Sequence, residues 1–176
     1  MKPDPKKNIE LYVDADFAGG WTQKTSGNPR SALSRHGYVL MYKGCPILWK
    51  SQLQTTIAMS TTEVEYIGLS SAIRSCIPVM RLVHEISTKI DTVQDPPKVI
   101  CTVHEDNTSA IRMAESPKVT IRTKHLSTKY HHFKKYVKEN TIVIRHISTH
   151  DQLADIFTKP LPEGTFLNLR SRLLGW

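Results

Sequence analysis

The sequence predicts an α/β fold, with one sheet of mixed strand direction flanked by helices. Three observations carry this. Three strand-like runs precede the first helix, and a long stretch of helical periodicity follows them. Two further β-branched runs, Val99 to Val103 and Thr141 to Ile147, are each reached through helical sequence. Strands joined by a tight turn pair antiparallel, whereas strands reached through a helical crossover pair in parallel. The favoured hand of such crossovers is right.

In chain order, Ile9 to Asp14 reads as the first strand. A stretch with Gly19, Gly20, Gly27, Asn28 and Pro29 follows, too rich in turn formers for regular structure. Its Lys24, Arg30 and Arg35 offer cations to a polyanion. Gly37 to Tyr42 and Pro46 to Lys50 form a hairpin about Lys43-Gly44. Ser60 or Thr61 then caps a helix, with Glu63 placed for a capping box. Tyr66, Leu69, Ile73, Cys76, Ile77, Met80 and Val83 recur at three- and four-residue steps, one apolar face. Pro78 removes a backbone hydrogen bond and is expected to kink or split that helix near Arg74 to Cys76. DTVQDPPK is a loop, and Val99 to Val103 a buried strand. Asn107 to Ala114 is a short helix. Tyr130, Phe133, Tyr136 and Val137 have helical spacing within Thr123 to Glu139. Thr141 to Ile147 is the last strand. DQLADIFTKPLP gives a short helix capped by Thr149 or Asp151 and stopped before Pro160. Phe166 to Leu174 closes as a terminal helix.

The bulk numbers exclude several classes. With 176 residues, 39% hydrophobic and 23% charged, the chain is an ordinary globular domain that can bury a sizeable core. No apolar run approaches the roughly 18 residues a membrane helix needs. Cys45, Cys76 and Cys101 are odd in number and lack metal-site spacing, so they read as buried thiols. The charge of +8 is segregated: Arg112 to Arg145 holds nine Lys or Arg against Glu115 and Glu139, a net +7. Such a stretch suits a nucleic-acid partner, with a solvated basic face as the bland alternative.

The acids carry the chemistry. Leu11, Tyr12 and Val13 run straight into Asp14, and the Val99 strand ends at Glu105 and Asp106. A buried carboxylate is costly unless a cation or donors compensate it. If these two strands are parallel neighbours, Asp14 and Asp106 emerge together at their carboxyl ends, where open α/β sheets bind ligands. Two adjacent carboxylates repel unless a cation bridges them or one is protonated, and oxygen ligands suit Mg²⁺ or Mn²⁺. Glu63 and Glu65 lie roughly 80° to either side of the apolar helix face, so geometry leaves the choice between them open. Asp151 and Asp155 share a helix face. Asp16 reads as a turn residue, Glu63 as a capping-box acid and Asp151 as a cap.

YVDADFAG, WKSQ, STTEVEYIGL, EDNTSAI, RTKHLSTKYHHF and DQLADIFTKPLP, in that order, resemble the ribonuclease H domain of copia-type LTR retrotransposon Pol polyproteins. The resemblance runs from about Ile9 to Leu174, which leaves residues 1–8 as leader or linker and 9–176 as a single domain. It implies the ribonuclease H-like fold, with a mixed five-stranded sheet flanked by helices, and a four-carboxylate site for two Mg²⁺, replaceable by Mn²⁺. Matched by motif, the acids are Asp14, Glu65, Asp106 and Asp155, both catalytic and metal-binding. This selects Glu65 over Glu63 by resemblance alone. The implied activity is hydrolysis of the RNA strand of RNA–DNA hybrids during reverse transcription, leaving 5′-phosphates. The implied partner is a reverse transcriptase in the same polyprotein, and the implied location is the cytoplasm, within virus-like particles.

Two departures from the pattern stand out. Relatives carry an uncharged residue where this chain has Glu105; on a strand it should point away from Asp106, with a modest electrostatic effect. The turn after the first strand is also longer than usual. Among the basic residues, Lys124, Lys129, Lys134, Lys135 and Lys138 are expected to hold hybrid phosphates. His131 and His132 are adjacent and have no Cys partner at zinc spacing, so zinc is not expected. His150, five residues before Asp155, is a candidate for proton transfer or product release. Two rivals share part of this pattern: a non-catalytic hybrid-binding domain beside a reverse transcriptase, and a DNA-acting nuclease of the same fold.

Overall fold

The computed structural model describes residues 2–4, 7–90, 98–116 and 130–176. Five strands form one sheet: β1 (Ile9–Asp16), β2 (Arg35–Tyr42), β3 (Cys45–Leu53), β4 (Cys101–Glu105) and β5 (Ile142–His146), in spatial order β3-β2-β1-β4-β5. β1 pairs antiparallel with β2 and parallel with β4, and β5 joins β4 in parallel. The expected mixed sheet is therefore present. β1 is central, so its carboxyl end and that of β4 open on the same edge.

The hairpin turns at Lys43 and Gly44, whose φ angles of 51° and 77° are the left-handed pair a two-residue turn requires. α1 (Thr61–Ile90) is one continuous helix of 30 residues containing Pro78, not two pieces. Arg74 and Pro78 are both exposed, so the carbonyl that Pro78 leaves unbonded lies on the solvent side. α2 (Thr108–Glu115) is capped by Asn107, whose side chain accepts from Ser109 N and Ala110 N. α3 (Lys134–Lys138) is shorter than the Thr123 to Glu139 periodicity, whose first residues lie outside those described. α4 (Glu163–Leu174) ends at Gly175 in the left-handed conformation.

Alternation along the strands divides the interior in two. Ile9, Leu11, Val13, Cys101 and Val103 face α1, packing on Tyr66, Leu69, Ile73 and Cys76, with Phe133 behind them. Val39 and Met41 face the other way, onto Leu153, Leu169 and Leu173. Among the described residues, the second layer thus comes from the part of the chain after β5. Cys76 and Cys101 are buried free thiols, Sγ atoms 3.5 Å apart; Cys45 is only half-buried, because it opens an edge strand.

The DQLADIFTKPLP stretch departs most from expectation. It holds two 3-10 turns, Thr149–Asp151 and Leu153–Phe157, in place of one short helix. Neither Thr149 nor Asp151 caps the second turn. Gln152 does: its Oε1 accepts from Ala154 N and its Nε2 donates to Val13 O at 2.8 Å. A fully buried amide thereby ties this turn to the end of β1. Gly37 lets the turn come close, since a Cβ there would lie 2.6 Å from Phe157 Cβ.

Candidate active site

β1 runs two residues past its expected end, so Asp14 lies within the ladder opposite Gly37. It is 2% exposed. Two groups hold it: the Thr158 hydroxyl donates to Oδ2, and Lys159 Nζ lies 3.5 Å from Oδ1. Glu65, in the first turns of α1, is 7% exposed, and its Oε2 is buried with no hydrogen-bond partner. Asp106 follows β4 directly and accepts from the Thr149 hydroxyl at 2.7 Å. Asp14, Glu65 and Asp106 each offer an oxygen within 4.8 Å of one another. Asp155 sits on the Leu153–Phe157 turn with Oδ1 3.0 Å from Lys159 Nζ. Three of the four expected acids thus meet as an oxygen cluster. The fourth joins through an ammonium that it shares with Asp14.

The cluster is electrostatically unfavourable as it stands. Burial first, then the charges of Glu105, Asp14 and Asp106, push Glu65 up to about 11. Burial and Asp14 push Asp155 up to about 6, against the pull of Lys159. Asp14 is also raised by burial, which outweighs Lys159 and Thr158. A divalent cation would relieve what these groups share, namely desolvated negative charge with too few donors. The donors are carboxylate oxygens only, which fits Mg²⁺ or Mn²⁺.

Glu105 corrects an expectation. It does turn to the α1 side, on the face of Cys101 and Val103, but the effect is not modest. It is fully buried beside Glu65, its Oε1 accepts from Asn107 N at 3.0 Å, and its Oε2 has no partner. Burial holds its carboxyl well above the usual carboxylate range.

Comparison with known proteins places this geometry. No protein-family model matches the chain. The retrovirus-related Pol polyprotein from transposon RE1 of Arabidopsis thaliana is 31% identical over 173 residues, 98% of this chain and 11% of the relative. The chain is homologous to a segment of such polyproteins. It spans about a tenth of the length of the curated relatives it matches. Among solved structures, LC11-RNase H1, isolated from compost by a metagenomic approach, aligns at TM-score 0.52 and 19% identity over 86% of this chain and 92% of that one. The N-terminal RNase H domain of a Mycobacterium tuberculosis protein aligns at TM-score 0.52 and 10% identity, covering 92% and 97%. The fold is therefore that of ribonuclease H, as the motifs implied.

The other named residues fall as follows. Glu63 accepts from Met59 N at 2.9 Å while Ser60 Oγ accepts from Glu63 N, a helix-start arrangement close to the expected capping box. Asp16 folds over Gly19 at the end of β1. Asp151 pairs with Arg172 at 2.8 Å and ties the first turn to α4, a role unlike the expected cap. His150 is exposed in that turn, next to Thr149. Lys134 donates to Ser116 O at 2.8 Å, Lys135 lies over the Tyr136 ring, and Lys138 is exposed. Lys124 and Lys129 lie outside the described residues. Thr149 was expected only as a cap, and Thr158 and Lys159 were not singled out from sequence, although Lys159 stands four residues after Asp155, a spacing that could have drawn attention to it.

Proposed function

We propose that this segment is a metal-dependent ribonuclease H that cuts the RNA strand of RNA–DNA hybrids during retrotransposon reverse transcription. One observation carries the reading: on a ribonuclease H fold, Asp14, Glu65 and Asp106 bring oxygens within 4.8 Å of one another at the carboxyl edge of the sheet. Support for the setting comes from the Pol polyprotein relatives, in which a reverse transcriptase would be the natural neighbour. In this reading Asp14, Glu65, Asp106 and Asp155 hold two Mg²⁺ or Mn²⁺ ions. When bound, these would activate the attacking water and stabilise the leaving 3′ oxygen of an in-line displacement.

The chain's own residues supply the rest. Thr158 and Thr149 orient Asp14 and Asp106, and Gln152 fixes the turn bearing Asp155. Contacts to 2′-hydroxyls would distinguish the RNA strand. Lys135 and Lys138, with Lys124, Lys129 and Lys134, would hold hybrid phosphates, and His150 would assist proton transfer or product release. Among the described residues no helix is long and apolar enough to cross a membrane, which suits an enzyme working inside a particle.

The test is a hybrid with labelled RNA, assayed with Mg²⁺, with Mn²⁺ and with EDTA, beside Asp14→Asn. The expected result is metal-dependent RNA cutting that the variant loses by about 10³-fold or more. Binding without cutting by the intact chain, alone and joined to its polymerase, would turn the reading to a hybrid-binding module. Cutting of DNA would point to a nuclease of another class, and cutting that survives EDTA would end the metal mechanism.

A further inference from the structure

Lys159 is a cation already seated among the acids. Its ammonium lies 3.0 Å from Asp155 Oδ1 and 3.5 Å from Asp14 Oδ1, although the motif reading gave it no role. The hold is an ion pair that the two acids share. The side chain is 31% exposed, so a path to solvent is open. Its backbone does not need to move with it, since Lys159 N donates to Asp155 O at 3.3 Å. The Thr158 hydroxyl meanwhile keeps Asp14 Oδ2 in place.

We propose that Lys159 is a built-in cation that fills the Asp14–Asp155 side of the site until the hybrid arrives. Resting on the two-ion reading above, this means that the hybrid-free protein takes one divalent ion, at Asp14, Glu65 and Asp106. A Mg²⁺ ion needs its oxygens at about 2.1 Å, so an ammonium and a divalent ion cannot both take the facing oxygens of Asp14 and Asp155. Charge decides when the exchange is favourable. One divalent ion plus Lys159 nearly balances the four acids. A phosphodiester adds a negative charge, and Lys159 swinging out to pair with that phosphate frees both oxygens for a second ion. The lysine thus makes the full metal complement conditional on substrate.

The experiment counts ions by calorimetry and by Mn²⁺ electron paramagnetic resonance, on the full chain without nucleic acid. Wild type and Lys159→Arg are expected to bind one Mn²⁺. Lys159→Gln is expected to bind two, the second at least about tenfold tighter than any second site in wild type. Adding Asp155→Asn to Lys159→Gln should remove the second ion and keep the first. Equal stoichiometry and affinity in wild type and Lys159→Gln would overturn the proposal. If Lys159→Gln does not fold, wild type decides: two ions bound without hybrid overturn it, and one ion that becomes two on adding a non-cleavable hybrid supports it. Because the readout is ion count, a protein that behaves this way yet cuts no RNA would fail only the ribonuclease reading.

Discussion

Two polar clusters lie on either flank of α1, and they are buried to similar depth for opposite reasons. On the β2 side, His36 Nε2 meets Ser71 Oγ at 3.1 Å, Tyr38 donates to Ser75 Oγ at 2.8 Å, and Gln54 Nε2 donates to Val64 O. Its members can all be neutral, and burial holds His36 down to about 4, helped by Lys50 and Arg35. At the carboxyl edge, Glu65, Glu105 and Asp14 are of one charge type, and two of them leave a buried oxygen unpartnered. The first cluster also leaves two buried atoms unpartnered, His36 Nδ1 and Gln54 Oε1, but it gathers no like charges. The second crowds carboxylates of one charge type together, and this difference in charge separates the two clusters more clearly than burial or unpartnered atoms do.

The sharpest way to break that comparison is the pH dependence of the metal-free protein. An acid whose folded pKa lies above its unfolded value favours the fold in its neutral form. Glu65 therefore contributes fully below its ordinary value of 4.5, and the contribution is lost as pH rises toward about 11. His36 acts in the reverse sense: its contribution is whole above 6.5 and is lost as pH falls through about 4. In EDTA the melting temperature should accordingly fall, by on the order of 5 °C between about pH 6 and about pH 9. Mg²⁺ should abolish most of that fall, and so should Glu65→Gln, which also removes cutting. A flat profile in EDTA would mean that the acids are better solvated than their burial implies.

Gly37 gives the next effect, because it lies where the Asp155 turn meets the strand beside Asp14. Gly37→Ala is expected to cost about 1–3 kcal/mol through overpacking against Phe157 and Thr158. Cutting should fall further than stability explains, since the turn carries Asp155 and Lys159. Equal loss of both, measured on folded protein, would show that the turn absorbs the displacement.

The smallest effect sharpens the contrast from the other flank. Ser71→Ala and Tyr38→Phe each remove one hydrogen bond and should cost about 1 kcal/mol. Hybrid cutting and Mg²⁺ response should stay at wild-type level in both. A lost metal response in either would show that the first cluster reaches the acids through α1.

What could be read from the chain follows from which interactions are local. The strands and the capped start of α1 show because periodicity and turn chemistry are written in neighbouring residues. Asp14 and Asp106 were legible because a carboxylate at the end of an apolar run is anomalous by itself. Glu65 was not separable from Glu63 by helix geometry, since both flank the same apolar face. Gln152 was invisible as an anchor, because its partner Val13 is 139 residues away and nothing local marks a buried amide. Glu105 was misjudged because its neighbours were reasoned along the strand, while the acid that matters to it comes from α1. The unbroken path of α1 through Pro78 shows tertiary packing overriding a local preference.

The layer that closes the second face has a consequence for how the molecule comes to be made. Leu153, Asp155, Lys159, Leu169 and Leu173 all follow β5 in the chain, and among the described residues no earlier helix covers Val39 and Met41 on that side. Asp14, Glu65 and Asp106 leave the ribosome well before Asp155 does. A nascent chain therefore carries three of its acids for much of its synthesis without the turn that completes them. On the ribonuclease reading proposed above, cutting would wait until the stretch after β5 docks, so a half-made copy would not be expected to attack RNA.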